Sequence, residues 1–359
     1  MTQTNTSQSE MMQAVILHGK EDARLETVPV PLVSEGEVRV RIDTALTCGT
    51  DVKVYRRGYH AMMLTPPIRF GHEFAGTVEK VGEGVTEWKV GQRVVSANSA
   101  PCGDCFYCVR NLPELCEDLL FLNGAYAGAI TVPARIVQKN LYAVPENLPL
   151  SSAAFTEPLA CVVRGMEEMP VQRGEMVIVL GAGPIGLCFV RLCARAGAKV
   201  LLVGRRKERL ALGAELGAEE VFDAQKIADS EIVALLKSRT EGGRGADKVI
   251  EAVGQPAQWE TAIALGRKAA TISLFGGCPS GTSIRVDTHR LHYEEITLKG
   301  TFHHTPSAFH HALQLISSGQ VPAEKFISAH APLSELPSLL ADLAQGKSNA
   351  IKYAIHPNA

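Results

Sequence analysis

Four cysteines sit at a spacing that suits one metal ion: Cys102-Gly-Asp-Cys105-Phe-Tyr-Cys108, then seven residues, then Cys116. Two-residue gaps let successive thiolates converge on a tetrahedral ion, and four sulfur ligands leave no position open for a substrate. The expected site is structural zinc, with an iron centre or disulfide pairs as the alternatives. A second signal is Gly181-Ala182-Gly183-Pro184-Ile185-Gly186. Gly181 permits a tight turn, and Gly183 lets the backbone approach a pyrophosphate. Gly186 lets a helix pack closely on a strand while its N-terminal amides face the anion. A third set is scattered: Cys48-Gly49-Thr50-Asp51, Gly71-His72-Glu73 and Thr156-Glu157-Pro158. Each is weak alone, since a lone buried cysteine is usually core and a lone His-Glu pair a satisfied polar contact.

Which dinucleotide the glycines would take depends on the tip of the next strand, where a carboxylate normally grips the ribose hydroxyls of NAD. Gly204-Arg205-Arg206 stands there instead. Guanidinium groups pair well with phosphate and Gly204 leaves room for it, so NADP is the expected coenzyme and NAD the alternative.

The elements that must position these residues change character along the chain. Up to residue 157 the apolar runs are short, and Gly and Pro break them often. MMQAVIL, GEVRVRIDTAL, FAGTVEKVG, QRVVSAN and ARIVQKN read as strands. SSAAFTEPLACVVRGMEEM reads as a helix leading out of this mainly β region. Beyond it, buried strands (MVIVLG, KVLLVG, EVFD, DKVIEAVG, TISLFGG, ITLKGTF) alternate with helical stretches (PIGLCFVRLCARAG, RKERLALGAELG, SEIVALLKSRT and 256–268). That alternation predicts a doubly wound parallel sheet. From His303 onward, SAFHHALQLISSG and SELPSLLADLAQG read as helices that return to the first domain.

A length of 359 residues suits two domains, and 46% hydrophobic against 21% charged residues excludes a disordered or fibrous chain. Thirty-six basic against 38 acidic side chains give a net charge of -2, so no overall field draws the chain onto nucleic acid or an anionic membrane. The longest apolar stretch, Val177 to Val190, is interrupted by three glycines and Pro184. It falls short of the roughly 20 residues needed to cross a bilayer. MTQTNTSQSE lacks a basic start and an apolar core, and reads as a mobile polar tail rather than a secretory signal. A cytoplasmic location with mostly reduced cysteines is the expectation. Cys161, Cys188, Cys193 and Cys278 lie in apolar runs and are expected as small core residues.

Together and in this order, the cysteine knuckle, the dinucleotide turn and the Cys48, His72 and Glu157 motifs resemble the zinc-dependent medium-chain dehydrogenase/reductase family. The resemblance runs from Val15 to about Tyr353 and is closest to the sorbitol, threonine and polyol dehydrogenase branch. It implies an α/β protein with a GroES-like, mainly β catalytic domain and a Rossmann domain, the active site between them. The first would comprise residues 1–157 and 303–359 and carry the structural zinc lobe; the second would comprise residues 158–302. It further implies that Cys48 and His72 bind a catalytic zinc with Glu73 and Glu157 beside it, which of the two glutamates coordinates being left open. Asp51 would accept the other His72 N–H, and the Thr50 hydroxyl would relay the alcohol proton unless it only caps a turn. Zinc would lower the pKa of a bound alcohol, so that hydride passes to C4 of the nicotinamide.

The implied activity interconverts a secondary alcohol, a polyol or sugar derivative, with its ketone. Oxidation of an amino alcohol, as in L-threonine 3-dehydrogenase, is the runner-up. A relative that has lost catalysis is disfavoured by the retained motif residues. A zinc-ribbon interaction protein is the alternative from another class, although Asp104, Glu114, Glu117 and Asp118 against Arg110 make a poor surface for phosphate. The implied partners are a small-molecule alcohol or ketone and further copies of the chain, as homotetramer or homodimer, with neither nucleic acid nor membrane. Two positions depart from the relatives: Lys53 stands where they commonly carry histidine, and His303-His304 replaces an Arg-Tyr pair of sorbitol dehydrogenases. Tyr55, Arg56, Tyr59 and Tyr126 are expected to line the cleft or cover surface.

Overall fold

Parallel strands covered on both faces must be apolar along their whole length, which explains the near-continuous runs in the middle of the chain. The computed structural model describes residues 10–60 and 62–359. The opening segment, read above as a mobile tail, lies outside the described residues through position 9. The chain divides into two compact units, one formed by the residues up to Glu157 together with Phe309–Ala359, the other by Pro158–Ala308.

The second unit is a sheet of six strands, all parallel, in the spatial order Glu220–Asp223, Lys199–Gly204, Met176–Leu180, Ala246–Glu251, Gly266–Leu274, Thr297–Gly300. In sequence terms that order is 3-2-1-4-5-6, the Rossmann arrangement, whose first strand lies where the order reverses. Ile178, Leu201, Val249 and Ile272 form its core with helical residues such as Leu236, Ala262 and Leu265, all but completely buried. The strand Ala246–Glu251 is shorter than the DKVIEAVG run, because Val253 and Gly254 leave the ladder and give their amides to the Glu251 carboxylate at 2.8 and 2.9 Å.

The first unit is built on a seven-stranded sheet whose central strand, Val38–Leu46, pairs antiparallel with Glu73–Val81, with Ala129–Val132 and with Lys352–His356. Phe70, Phe74, Tyr126 and Ile130 fill the core beneath it. Two elements differ from the sequence reading. ARIVQKN, expected as a strand, is the helix Ala134–Asn140. Ile136, Val137 and Asn140 are its buried positions, a helical rather than alternating spacing, and Asn140 Nδ2 donates to the Ser99 carbonyl at 2.7 Å. SSAAFTEPLACVVRGMEEM is two helices, Leu150–Ala154 and Thr156–Glu168, instead of one. Pro158 has no N–H to offer the Ala154 carbonyl and its ring would strike it, so the first helix stops and the second starts with Pro158 in its first turn. Cys188 and Cys193 are buried as expected, whereas Cys161 and Cys278 are only half-buried.

Truncating Ile178, fully buried at the centre of the parallel sheet, tests this packing. Ile178→Ala is expected to destabilise the second unit by about 2–5 kcal/mol, measured as a shift in its urea midpoint with the slope unchanged.

Candidate active site

Three sequence-distant ligand groups meet in the first unit because a helix start, a strand start and a buried carboxylate are tied together. Cys48 caps the helix Gly49–Arg57: its Sγ accepts from the Thr50 amide at 3.3 Å, while Asp51 Oδ2 accepts from the Cys48 amide at 3.1 Å. This reciprocal capping fixes both side chains. Asp51 Oδ1 lies 3.1 Å from His72 Nδ1, which holds the Nδ1–H tautomer and leaves Nε2 free to bind a metal. Burial opposes charge on His72, but the carboxylate of Asp51 outweighs it and raises the imidazole pKa well above its ordinary value. Cys48, His72 and Glu73 each present a ligand atom, all within 4.8 Å of one another.

The two glutamates differ. Glu73 is completely buried, and Lys352 Nζ donates to its Oε1 and Oε2 at 2.7 and 2.6 Å and to the Thr47 carbonyl at 2.9 Å. Glu157 is also buried, at 6% exposure. Burial pushes its carboxyl up to about 7, opposed by the charge of His72 and reinforced by that of Glu73. A buried carboxylate is costly unless cations answer it, so this environment fits a divalent ion. A soft thiolate, an imidazole and a carboxylate are also the donor types that zinc takes at catalytic sites.

Two members of this site escaped the sequence reading. Tyr126, expected in a cleft or at the surface, is completely buried and donates to Asp51 Oδ2 at 2.5 Å, with the Leu46 carbonyl at 3.0 Å. Tyr55 is buried as well, at 8% exposure, whereas Arg56 and Tyr59 are exposed. Lys352 was not singled out; a lysine inside the apolar run IKYAI was the available signal.

At the knuckle, Sγ–Sγ distances are 3.4 Å for Cys102–Cys116, 3.8 Å for Cys105–Cys116 and 3.9 Å for Cys102–Cys108. Four sulfurs about 2.3 Å from one tetrahedral ion would stand about 3.8 Å apart. Separations of 3.4 Å and more are those of converging ligands rather than of disulfide-bonded pairs. Backbone hydrogen bonds, above all from Cys108, lower the Cys105 thiol to about 6, so it is readily deprotonated for metal binding.

In the second unit the Gly181–Gly186 turn leads from the first strand into the helix Pro184–Arg195. A Cβ on Gly186 would lie 1.8 Å from the Gly181 carbonyl oxygen, so only glycine allows this helix to seat on the turn. Gly204 has a packing role too, since a Cβ there would meet the Ala182 Cβ at 2.3 Å. Beside the turn opens a groove of about 310 Å³ lined by Gly183, Arg205, Arg206 and Arg209 among others. Arg206 adopts a left-handed backbone, φ 74°, a strain of roughly 1–2 kcal/mol that the surrounding turn must sustain. Arg209, in the first turn of the helix Lys207–Glu215, is the cation the sequence reading missed. Burial and the charge of Arg206 lower its pKa, the condition of a guanidinium crowded by like charge.

The Lys352–Glu73 pair yields a stability prediction. Lys352→Met is expected to cost about 3–5 kcal/mol by leaving a buried charge unanswered, and the Lys352→Met/Glu73→Gln double variant less than that. Urea unfolding of the four proteins of this cycle measures the coupling.

Comparison with known proteins agrees with this geometry. The family model for the alcohol dehydrogenase GroES-like domain matches residues 34–146, and that for zinc-binding dehydrogenases matches residues 184–318. The sorbitol dehydrogenase of Bombyx mori is 32% identical over 347 residues, covering 96% of this chain and 98% of that protein. A structure from Sinorhizobium meliloti 1021, assigned to the zinc-binding dehydrogenases and bound to NADP, superposes with a TM-score of 0.88 at 27% identity, covering 97% of this chain and all of that one. The 2R,3R-butanediol dehydrogenase of Bacillus subtilis superposes with a TM-score of 0.84 at 27% identity over 97% of this chain and all of that one. The zinc-ribbon interaction module is thereby set aside, and threonine dehydrogenases, at 29% identity, fit no better than polyol dehydrogenases. The chain belongs to the zinc-dependent medium-chain alcohol dehydrogenase family and is an oxidoreductase acting on CH–OH groups.

Proposed function

We propose that the protein oxidises a secondary alcohol of a polyol or sugar derivative to the ketone with NADP, releasing NADPH and a proton. The observation that carries this reading is the meeting of Cys48, His72 and Glu73 ligand atoms, with the buried Glu157 feeling the charges of His72 and Glu73. Cys48, His72 and one of the two carboxylates would hold the catalytic zinc, and Cys102, Cys105, Cys108 and Cys116 the structural one. Lys352 already answers the charge of Glu73, which favours Glu157 as the ligand in the resting enzyme. When bound, the catalytic ion lowers the pKa of a substrate hydroxyl.

The remaining steps fall to the chain's own side chains. Thr50 accepts the hydroxyl proton: in the turn only its amide is engaged, toward Cys48 Sγ, and its Oγ1 makes no hydrogen bond among the described residues. Asp51, held by Tyr126, keeps the His72 ring oriented. Arg205, Arg206 and Arg209 receive the 2′-phosphate of NADP, with the amides of the helix Pro184–Arg195 facing the pyrophosphate. Polyol substrates are supported by the sorbitol and erythritol/L-threitol dehydrogenases among the relatives. We place the protein in the cytoplasm, where four thiolates gathered at the knuckle spacing stay available to a metal. The open side of the edge strand Thr297–Gly300 fits assembly into a homodimer or homotetramer.

Four measurements check this reading. A panel of alcohols, polyols and L-threonine with each coenzyme, followed at the absorbance of the reduced nicotinamide, should show highest kcat/KM for a polyol with NADP. Metal analysis should give two zinc ions per chain; one ion, or a preference for L-threonine, would overturn the assignment. Thr50→Val is expected to keep both zinc ions while losing turnover by about a hundredfold or more, with Thr50→Ser retaining much of it. Arg209→Ser should raise the KM for NADP about tenfold with little change in kcat, and Arg205→Asp should shift preference toward NAD.

A further inference from the structure

The second unit holds a cavity besides the coenzyme groove. It measures about 1360 Å³ and opens at the opposite edge of the parallel sheet, among residues that begin its strands: Met176, Lys199, Asp247 and Gly266. That volume exceeds the roughly 300–1,000 Å³ of ordinary small-molecule sites.

Its charges are unevenly matched. Of the acids in its wall, Asp247 accepts from Arg267 Nε at 2.7 Å and from the Met176 amide at 2.7 Å, and Glu294 accepts from Arg290 Nε at 2.9 Å. Arg239, also in the wall, has Glu220 at 3.8 Å. That leaves Lys199, Lys237, Arg244 and Lys268, none with a carboxylate within ion-pair distance among the described residues, against Glu219, Glu241 and a Glu294 already bound by Arg290. Arg244 Nη1 donates to the Glu241 carbonyl at 3.2 Å, which restrains the guanidinium without neutralising it. Lys237 is the most telling of the four. It is half-buried, and burial together with the charge of Arg290 lowers its ammonium pKa, Glu294 compensating only in part. An ammonium withdrawn from water and set beside another cation is stabilised by an anion from outside.

We propose that this cavity is a second anion site, binding a phosphorylated small molecule through Lys199, Lys237, Arg244 and Lys268. A phosphate group offers two negative charges and three acceptor oxygens, enough for several of these donors at once, and Arg244 supplies the fork that such oxygens suit. The volume leaves room for the organic part of a metabolite of nucleotide size. The site is separate from the groove at Arg205, Arg206 and Arg209, which lies at the ends rather than the beginnings of the strands.

Calorimetric titration of the NADP-saturated zinc enzyme with inorganic phosphate at low ionic strength tests this. The expected result is one saturable site per chain, weakened at least tenfold in Lys237→Met and in Lys268→Met, as loss of one charged hydrogen bond requires. Lys268 is exposed and Met preserves the apolar stem at 237, so unfolding does not confound the pair. Absence of saturable heat, binding that falls as NADP is raised, or binding indifferent to both substitutions would overturn the proposal.

Discussion

One buried carboxylate organises the first unit. Asp51 spends its two oxygens on three partners: the Cys48 amide and the Tyr126 hydroxyl on Oδ2, and His72 Nδ1 on Oδ1. At 1% exposure it has no recourse to water, so those partners must all be in place at once. The thiolate position, the imidazole tautomer and the entry of the helix Gly49–Arg57 are therefore a single arrangement rather than three. Loss of any member leaves an uncompensated charge where the medium screens it least.

The same economy separates the two glutamates that spacing alone could not rank. Glu73 and Glu157 are both buried acids near His72, but a lysine from the strand Lys352–His356 answers one of them. A carboxylate that a lysine already binds through both oxygens gains less from a metal than one without that contact.

The chemistry was legible in the sequence wherever it was written locally. The knuckle spans residues 102–116, the dinucleotide turn six residues, and Cys48, Thr50 and Asp51 lie within four. Contacts across the fold were not legible. Lys352 reaches Glu73 over 279 residues and Tyr126 reaches Asp51 over 75, and each depends on strand register that no local pattern encodes. Arg209 was hidden differently: it lies in the helix Lys207–Glu215, past the strand tip, and only the fold brings it to the groove that Arg205 and Arg206 line. The strand expected at ARIVQKN failed because β-branched residues favour either state until burial decides, and burial here follows a helical spacing.

The chain order has a consequence for synthesis. The Rossmann unit is written inside its host, between Glu157 and Phe309, so the ribosome finishes the guest while the host still lacks its strands Ile327–Pro332 and Lys352–His356. Until the latter emerges, the Val38–Leu46 strand has a bare edge at Ala45 and Leu46, and Glu73 has no counter-charge. The nascent host therefore waits half-closed beside a finished neighbour, a period in which an open strand edge is vulnerable to mispairing.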